Sequence, residues 1–378
     1  MSLSFSEALR RVPRGFLGMV ALVAACEAFI ASNDLKFSRL EAEDWRTSAR
    51  IARGELPLGG ILFFGDSQVK FGVSPLVLEA KLSQPSQCLA VQGGQAPSSY
   101  FLLKKTLDAG VLPAAIVVDF EPHLLRDGLE HNKRMWAELA TLGECLEMAW
   151  TAGDAGAFAS MGLGRVLPSY LERYEIRDNI KAALKGETPL MASWLQMAAR
   201  NKGMNRGALA MTKGIGDPTH DPSRWANPTP TPWAADPVND AYARKFLALA
   251  ARYKIPVYCA LMPVVPGLQE KYEKYGMDQY YFAWLRQLQE KHANLYILDW
   301  RHSNYQPPAF TDAMHLNVEG ATAITMALGD YLQKSFRGEG VDVRWVRMPE
   351  FKLDATQIAV EDSNRSNAFM QSTAKLRR

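Results

Sequence analysis

The sequence predicts an α/β fold, a three-layer sandwich around a central five-stranded parallel sheet that carries a mostly helical insertion. Three observations lead there. Apolar runs without polar alternation, such as Ile61-Leu62-Phe63-Phe64 and Ile116-Val117-Val118, suit strands covered on both faces. These runs alternate strictly with helical stretches, the order that builds a parallel sheet. A chain of 378 residues with 48% apolar content can bury one large core or two modest ones.

Composition narrows the function classes. The formal charge of +3 arises from 43 basic and 40 acidic residues, so neither a nucleic-acid footprint nor a funnel for acidic substrates is expected. The four cysteines, Cys26, Cys88, Cys145 and Cys259, form no C-x-x-C pair, which argues against a zinc site or redox motif.

Residues 1–32 have the layout of a signal anchor or signal peptide: Arg10, Arg11 and Arg14 precede an apolar run, Phe16 to Ala31, broken only by Glu27. The run is shorter than the roughly 20 residues of a comfortable spanning helix, and Glu27 would be costly at mid-bilayer. An uncleaved anchor has Glu27 near the outer interface or paired with a partner helix. A cleaved signal, or lipidation of Cys26 after the lipobox-like Val23-Ala24-Ala25, are the other two outcomes. All three put the rest of the chain outside the cytoplasm, in the periplasm or beyond the cell. The alternative is an amphipathic or buried helix of a cytosolic protein.

Residues 33–59 read as a charged helical approach segment with Phe37, Leu40, Trp45 and Ile51 at helical spacing. The core, residues 60–335, opens with the strand Ile61 to Phe64, and Gly65 permits a sharp exit. Ser74-Pro75 starts a helix over Leu76, Leu78 and Leu82, a capping hydroxyl followed by proline at the first helical position. Cys88 to Val91 is the second strand, closed by Gln92-Gly93-Gly94-Gln95, and Ser98 to Leu107 is a helix. Ala114 to Phe120 is the third strand, and Pro256 to Val264 and Leu295 to Trp300 are the fourth and fifth. Between the third and fourth lies the insertion, about 125–240. In it, Trp136, Leu139, Leu142 and Leu146 share one helical face, and Leu167, Tyr170, Leu171 and Tyr174 suggest another helix. From Gly214 to Asn239 repeated prolines exclude regular structure. Trp225 and Trp233 there either stack on a sugar ring or pin the loop to the surface. Residues 336–378 are a charged, weakly patterned tail.

Ser67 stands between a strand end and a helix start, on the rim where open α/β sheets bind ligands. Gly-Asp-Ser is also ordinary turn chemistry, so a nucleophile needs partners. Asn317 can cap the last core helix, with Glu319 in its first turn, which puts Asp312 and His315 in the loop before it, on the same rim. A spacing of three lets one turn bring the carboxylate beside the imidazole. Serine needs a base, and the base needs a group that holds its tautomer. Ser67 as nucleophile, His315 as base and Asp312 as orienter meet that requirement. A metal site or a capping cluster is the other reading of the pair, but no third clustered ligand accompanies it. His123, on the same rim, is read as structural.

Gly65-Asp66-Ser67 and Asp312-Ala313-Met314-His315 resemble the first and last blocks of the SGNH or GDSL-like hydrolases, and the likeness covers roughly residues 60–124 and 250–332. It implies an SGNH fold, flavodoxin-like in its sheet, with oxyanion donors at the Ser67 amide and at Gly93, Gly94 being the alternative. Where the family has Gly-x-Asn-Asp after the third strand, this chain has Asp119-Phe120-Glu121-Pro122-His123. The asparagine donor is missing, and Glu121 cannot donate while ionised. The implied activity is that of an extracytoplasmic serine esterase acting through an acyl-Ser67 intermediate on O-acyl groups of a carbohydrate, with no cofactor. A sugar hydroxyl in place of water makes it an O-acyltransferase. The anchored form is similar to the SGNH-like domains of alginate O-acetyltransferases and to the D-alanyl transfer proteins of teichoic acid modification. The expected partners are an acylated carbohydrate substrate, the membrane through the N-terminal segment and, by that likeness, a membrane-embedded acyl-donor protein. The rival is a non-catalytic polysaccharide-binding scaffold on the same fold, which the missing asparagine favours.

Overall fold

A computed structural model describes residues 13–32, 40–55, 60–187, 190–212, 232–339, 342–352 and 360–376. The chain begins with α1 (Arg14–Ser32), an apolar helix with Phe16, Met19, Leu22 and Phe29 exposed. Its one acid, Glu27, does not stand alone: Ser169 of the insertion donates its N–H to Oε2 at 2.8 Å and its hydroxyl to Oε1. No helix among the described residues is long and apolar enough to cross a membrane. Arg10, Arg11 and Phe37 lie outside the described residues. The approach segment is α2 (Leu40–Arg50) and a π turn at Ile51–Glu55. Ala42, Trp45 and Ala49 form its buried face, with Trp45 edge-on to Trp136 at 4.9 Å.

The sheet is all parallel and has six strands, not the five expected, in the order β2-β1-β3-β4-β5-β6. These are β1 (Ile61–Phe64), β2 (Ser86–Cys88), β3 (Ala115–Val118), β4 (Val257–Leu261), β5 (Leu295–Asp299) and β6 (Trp345–Arg347). The sixth comes from the tail. It is an edge strand, only partly buried and paired on one side from Ile297↔Trp345 to Asp299↔Arg347, so it needs no unbroken apolar run. β1, β3 and β4 are buried along their whole length, as central strands covered on both faces must be. β2 lies earlier than the predicted Cys88–Val91 and shares only Cys88 with it, yet Leu89 and Val91 still donate to the Phe63 and Gly65 carbonyls as the two segments leave the sheet. Its outer edge is covered by the insertion, where the Cys88 amide donates to the Arg206 carbonyl.

After β1 come α3 (Ser67–Gly72) and α4 (Pro75–Leu82), and after β2 comes α5 (Ala96–Asp108). The insertion is helical as expected: α6 (Pro122–Arg126), a 3₁₀ turn at Leu129–Asn132, α7 (Trp136–Leu139), α8 (Leu142–Ala152), α9 (Ala155–Val166), α10 (Pro168–Leu171), α11 (Arg173–Leu184) and α12 (Leu190–Met204). The stripe Trp136 to Leu146 is not one face. A capping box between Thr141 and Glu144 starts a new helix, so Trp136 and Leu139 are buried while Leu142 and Leu146 are exposed. Trp225 lies outside the described residues. Trp233 does not stack on solvent-borne rings; it is buried, donates Nε1–H to the Pro122 carbonyl at 2.8 Å and packs edge-on against Tyr281. The remaining helices are α13 (Pro237–Arg252), α14 (Pro266–Lys274), α15 (Met277–Lys291), α16 (Val318–Phe336) and α17 (Ser363–Leu376). α16 packs on α3 and α4, and α5 on α13, while α17 rests on α12 beside a bidentate Arg200–Glu361 pair at 2.6 and 2.9 Å.

One glycine fixes the exit from β1. Gly65 has φ +120°, and a Cβ there would fall 1.5 Å from Asp119 Oδ1, which accepts the Asp66 N–H at 2.9 Å. The chain can turn from β1 into α3 only because nothing occupies that space.

Candidate active site

Asp66 caps α3, its Oδ1 accepting the Gln68 N–H at 2.7 Å, so Ser67 is the first residue of that helix. A residue in that place keeps an amide with no intrahelical acceptor and a hydroxyl at the rim of the sheet. From sequence alone Ser67 falls in a linker before Pro75 and this six-residue helix is unexpected, although an aspartate just before a serine is itself an N-cap signal.

His315 reaches Ser67 from 248 residues away: Nε2 and Oγ are 2.8 Å apart. The other ring nitrogen, Nδ1, lies 2.8 Å from Asp312 Oδ2 and 3.0 Å from Oδ1. With Nδ1–H donated to the carboxylate, Nε2 is left to accept from the serine hydroxyl. The loop that carries both is tied at several points. Phe310 bridges Leu316, the Thr311 N–H donates to the His315 carbonyl at 2.8 Å, and Val265 N–H donates to the Ala313 carbonyl at 3.1 Å. Asn317 caps α16 through the Gly320 N–H at 3.0 Å and anchors the loop by donating to the Pro308 carbonyl at 2.7 Å. Burial alone would raise the Asp312 carboxyl, but His315 and the amides of Met314 and His315 outweigh it and hold the group below its ordinary range. The Phe71 ring, 4.8 Å from the imidazole, closes one side.

Ser67, Asp312 and His315 border an open cleft of about 750 Å³ together with Gly93, Asn132 and Trp194. Its far wall comes from the insertion. Gly93 has φ +68°, and its N–H donates to no acceptor among the described residues. Gly94 is not the alternative donor: its N–H is spent on the Val91 carbonyl at 2.8 Å. Its missing side chain serves packing, since a Cβ would lie 2.4 Å from the Gly65 carbonyl. Asn132, which the sequence reading does not single out, donates Nδ2–H to the Gly93 carbonyl at 2.7 Å and to Gln95 Oε1 at 2.9 Å. No local motif signals it, because its partner is brought up by the tertiary fold.

A buried ion cluster holds the same loop from behind. Asp44 of α2 accepts the Gln92 N–H at 2.9 Å and pairs with Lys70 of α3 at 2.7 Å and Lys202 of α12 at 3.2 Å. Burial pushes the Asp44 carboxyl up, and the two lysines more than reverse it, leaving it below its usual value.

The exit of β3 faces elsewhere. Asp119 and Glu121 border a separate, small cavity with Gln68, Tyr272 and Arg301, not the cleft of Ser67. Burial, with Asp66 adding to it, pushes Glu121 up to about 8, and its Oε2 caps α6 by accepting the Leu124 N–H at 2.8 Å. Its role is therefore at a helix start. His123 packs on the Tyr272 ring at 5.2 Å, in keeping with a structural histidine. Compared with known proteins, the chain matches no family model and no curated sequence.

Glu121 predicts a pH dependence. The folded carboxyl keeps its proton to about pH 8 while an ordinary one releases it near 4.5, so stability falls as pH rises between the two. Glu121→Gln keeps an acceptor for Leu124 and removes the titration. Its Tm advantage over the parent is expected to grow between about pH 5 and pH 8, and a constant difference in thermal melts across that range would contradict the assignment.

Proposed function

We propose that the protein is a serine esterase or acyl hydrolase of the SGNH kind that works through an acyl-Ser67 intermediate on O-acyl groups of a carbohydrate. The observation that carries this reading is the continuous chain from Asp312 to His315 at 2.8 Å and from His315 to Ser67 at 2.8 Å, opening on a cleft. In this mechanism Nε2 of His315 takes the hydroxyl proton as Ser67 Oγ attacks the acyl carbonyl. Asp312 stabilises the imidazolium that forms. The Ser67 and Gly93 N–H groups receive the oxyanion, the terminus of α3 favouring the negative charge. His315 then returns its proton to the departing sugar oxygen, and water attacks the acyl-serine by the reverse path. The parallel sheet, with its strand order reversing about β1, supports the flavodoxin-like form of this fold.

A second reading, transfer of the acyl group to a polymer hydroxyl, draws support from α1. Exposed Phe16, Met19, Leu22 and Phe29 on one 19-residue helix fit association with a bilayer interface, and Ser169 of the insertion supplies Glu27 with a polar partner. On this reading the globular part works outside the cytoplasm beside a membrane-embedded acyl donor.

Ser67→Ala should lower the release of acetate from an acetylated oligosaccharide or an aryl acetate by at least about 10³-fold, and Asp312→Asn by about 10³- to 10⁴-fold, each with KM little changed. Turnover by Ser67→Ala equal to the parent would overturn this mechanism, whereas a parent without turnover whose polymer binding survives loss of Ser67 and His315 would favour the scaffold reading. The full chain is expected to float with phospholipid vesicles and a form lacking residues 1–32 to remain in the dense fraction; flotation of both would remove α1 as the anchor.

A further inference from the structure

In the acyl-enzyme reading the half-buried Gly93 amide joins that of Ser67 in holding an oxyanion, and what fixes the glycine amide lies outside the loop. We propose that Trp45 is a positioning residue for the oxyanion-binding peptide. The inference rests on the acyl-enzyme reading and adds to it a residue far from the reacting atoms in sequence.

The Gly93 N–H belongs to the Gln92–Gly93 peptide. In a planar trans peptide the C=O and the N–H point in opposite directions, so whatever grips the Gln92 carbonyl also aims the Gly93 N–H the other way. The grip is the Trp45 indole, whose Nε1–H donates to the Gln92 carbonyl at 2.9 Å. An indole has a single donor, and here it is committed to that bond. Trp45 has no freedom to drift, being fully buried and edge-on to Trp136 at 4.9 Å. The units on either side are held as well. Asp44 takes the Gln92 N–H at 2.9 Å, and Asn132 donates to the Gly93 carbonyl at 2.7 Å.

Such restraint has a physical reason. Gly93 sits at φ +68° and carries no Cβ, so rotation of the peptide before it meets little steric resistance. A rotated peptide would turn the N–H toward Trp45 and present the Gln92 carbonyl to the cleft, where a second oxygen dipole repels an oxyanion. The indole N–H penalises that state, because rotation would leave a buried donor without a partner. Thus α2, which lies ahead of the sheet in the chain, completes the site through a hydrogen bond to backbone rather than by touching substrate.

The test replaces Trp45 in the full-length protein by 3-benzothienylalanine, which keeps the ring shape and removes only the N–H, with Trp45→Phe as a second variant. Hydrolysis of p-nitrophenyl acetate is followed to separate kcat from KM, and thermal melts are run alongside. Loss of one oxyanion donor costs about 10²- to 10³-fold, so partial loss of its aim is expected to lower kcat by about 10-fold or more. KM should stay within about two-fold and Tm within about 2 °C for the isostere. A kcat within two-fold of the parent, in a parent that turns over and depends on Ser67, would overturn the role of Trp45 and leave the acyl-enzyme reading standing. A parallel change in kcat, KM and Tm would mark Trp45 as packing alone and likewise overturn it. A parent with no Ser67-dependent turnover would instead overturn the acyl-enzyme reading, and this inference with it.

Discussion

Four segments that are far apart in the chain meet at the Asp44 carboxylate. α2 supplies it, α3 and α12 bring Lys70 and Lys202 to it, and the loop after β2 gives it the Gln92 N–H. A buried ion left without one partner costs about 3–5 kcal/mol, so each of these segments is held in place by the charge needs of the others. Lys70 adds a further tie, donating to the Ala90 carbonyl at 2.7 Å from within α3, the helix that carries Ser67. The spatial relation between Ser67 and Gly93, one residue on α3 and the other beyond β2, is therefore set by a polar cluster behind them as much as by the sheet.

From that constraint the division of labour follows. Strand ends deliver backbone: Gly65 lets β1 turn at once into α3, and the close crossing of Gly94 over the Gly65 carbonyl brings the two exits together. A stitched loop before α16 delivers Asp312 and His315. The insertion contributes Asn132 and Trp194 to the cleft and Lys202 to the cluster behind it, so it acts as a wall and a brace. The exit of β3, a donor site in the resembling family, is turned here to structural ends. Asp119 receives the Asp66 amide, Glu121 caps α6, and both carboxyls are pushed up by burial in a space apart from the cleft.

Strands were legible wherever burial on both faces demanded an unbroken apolar run, as at Ile61–Phe64. They were not where an edge strand pairs on one side only, as at Trp345–Arg347. Ser67, His315 and Asp312 were legible because Gly-Asp-Ser and Asp-x-x-His keep local spacing and local turn chemistry. Gly93 and Gly94 were indistinguishable in the sequence, since which amide a turn consumes depends on the turn actually adopted. Trp45 showed in the spacing of α2 as a packing residue. Its hydrogen bond to Gln92, like that of Asn132 to Gly93, joins segments whose register only the folded chain defines.

Activation of Ser67 by His315 is the central claim, and mapping a fluorophosphonate adduct by mass spectrometry tests it most directly. The account predicts one adduct, on Ser67, in the folded full-length protein, and its loss in His315→Ala at unchanged Tm. A folded protein that takes no adduct, or takes it equally well without the histidine, would contradict the account.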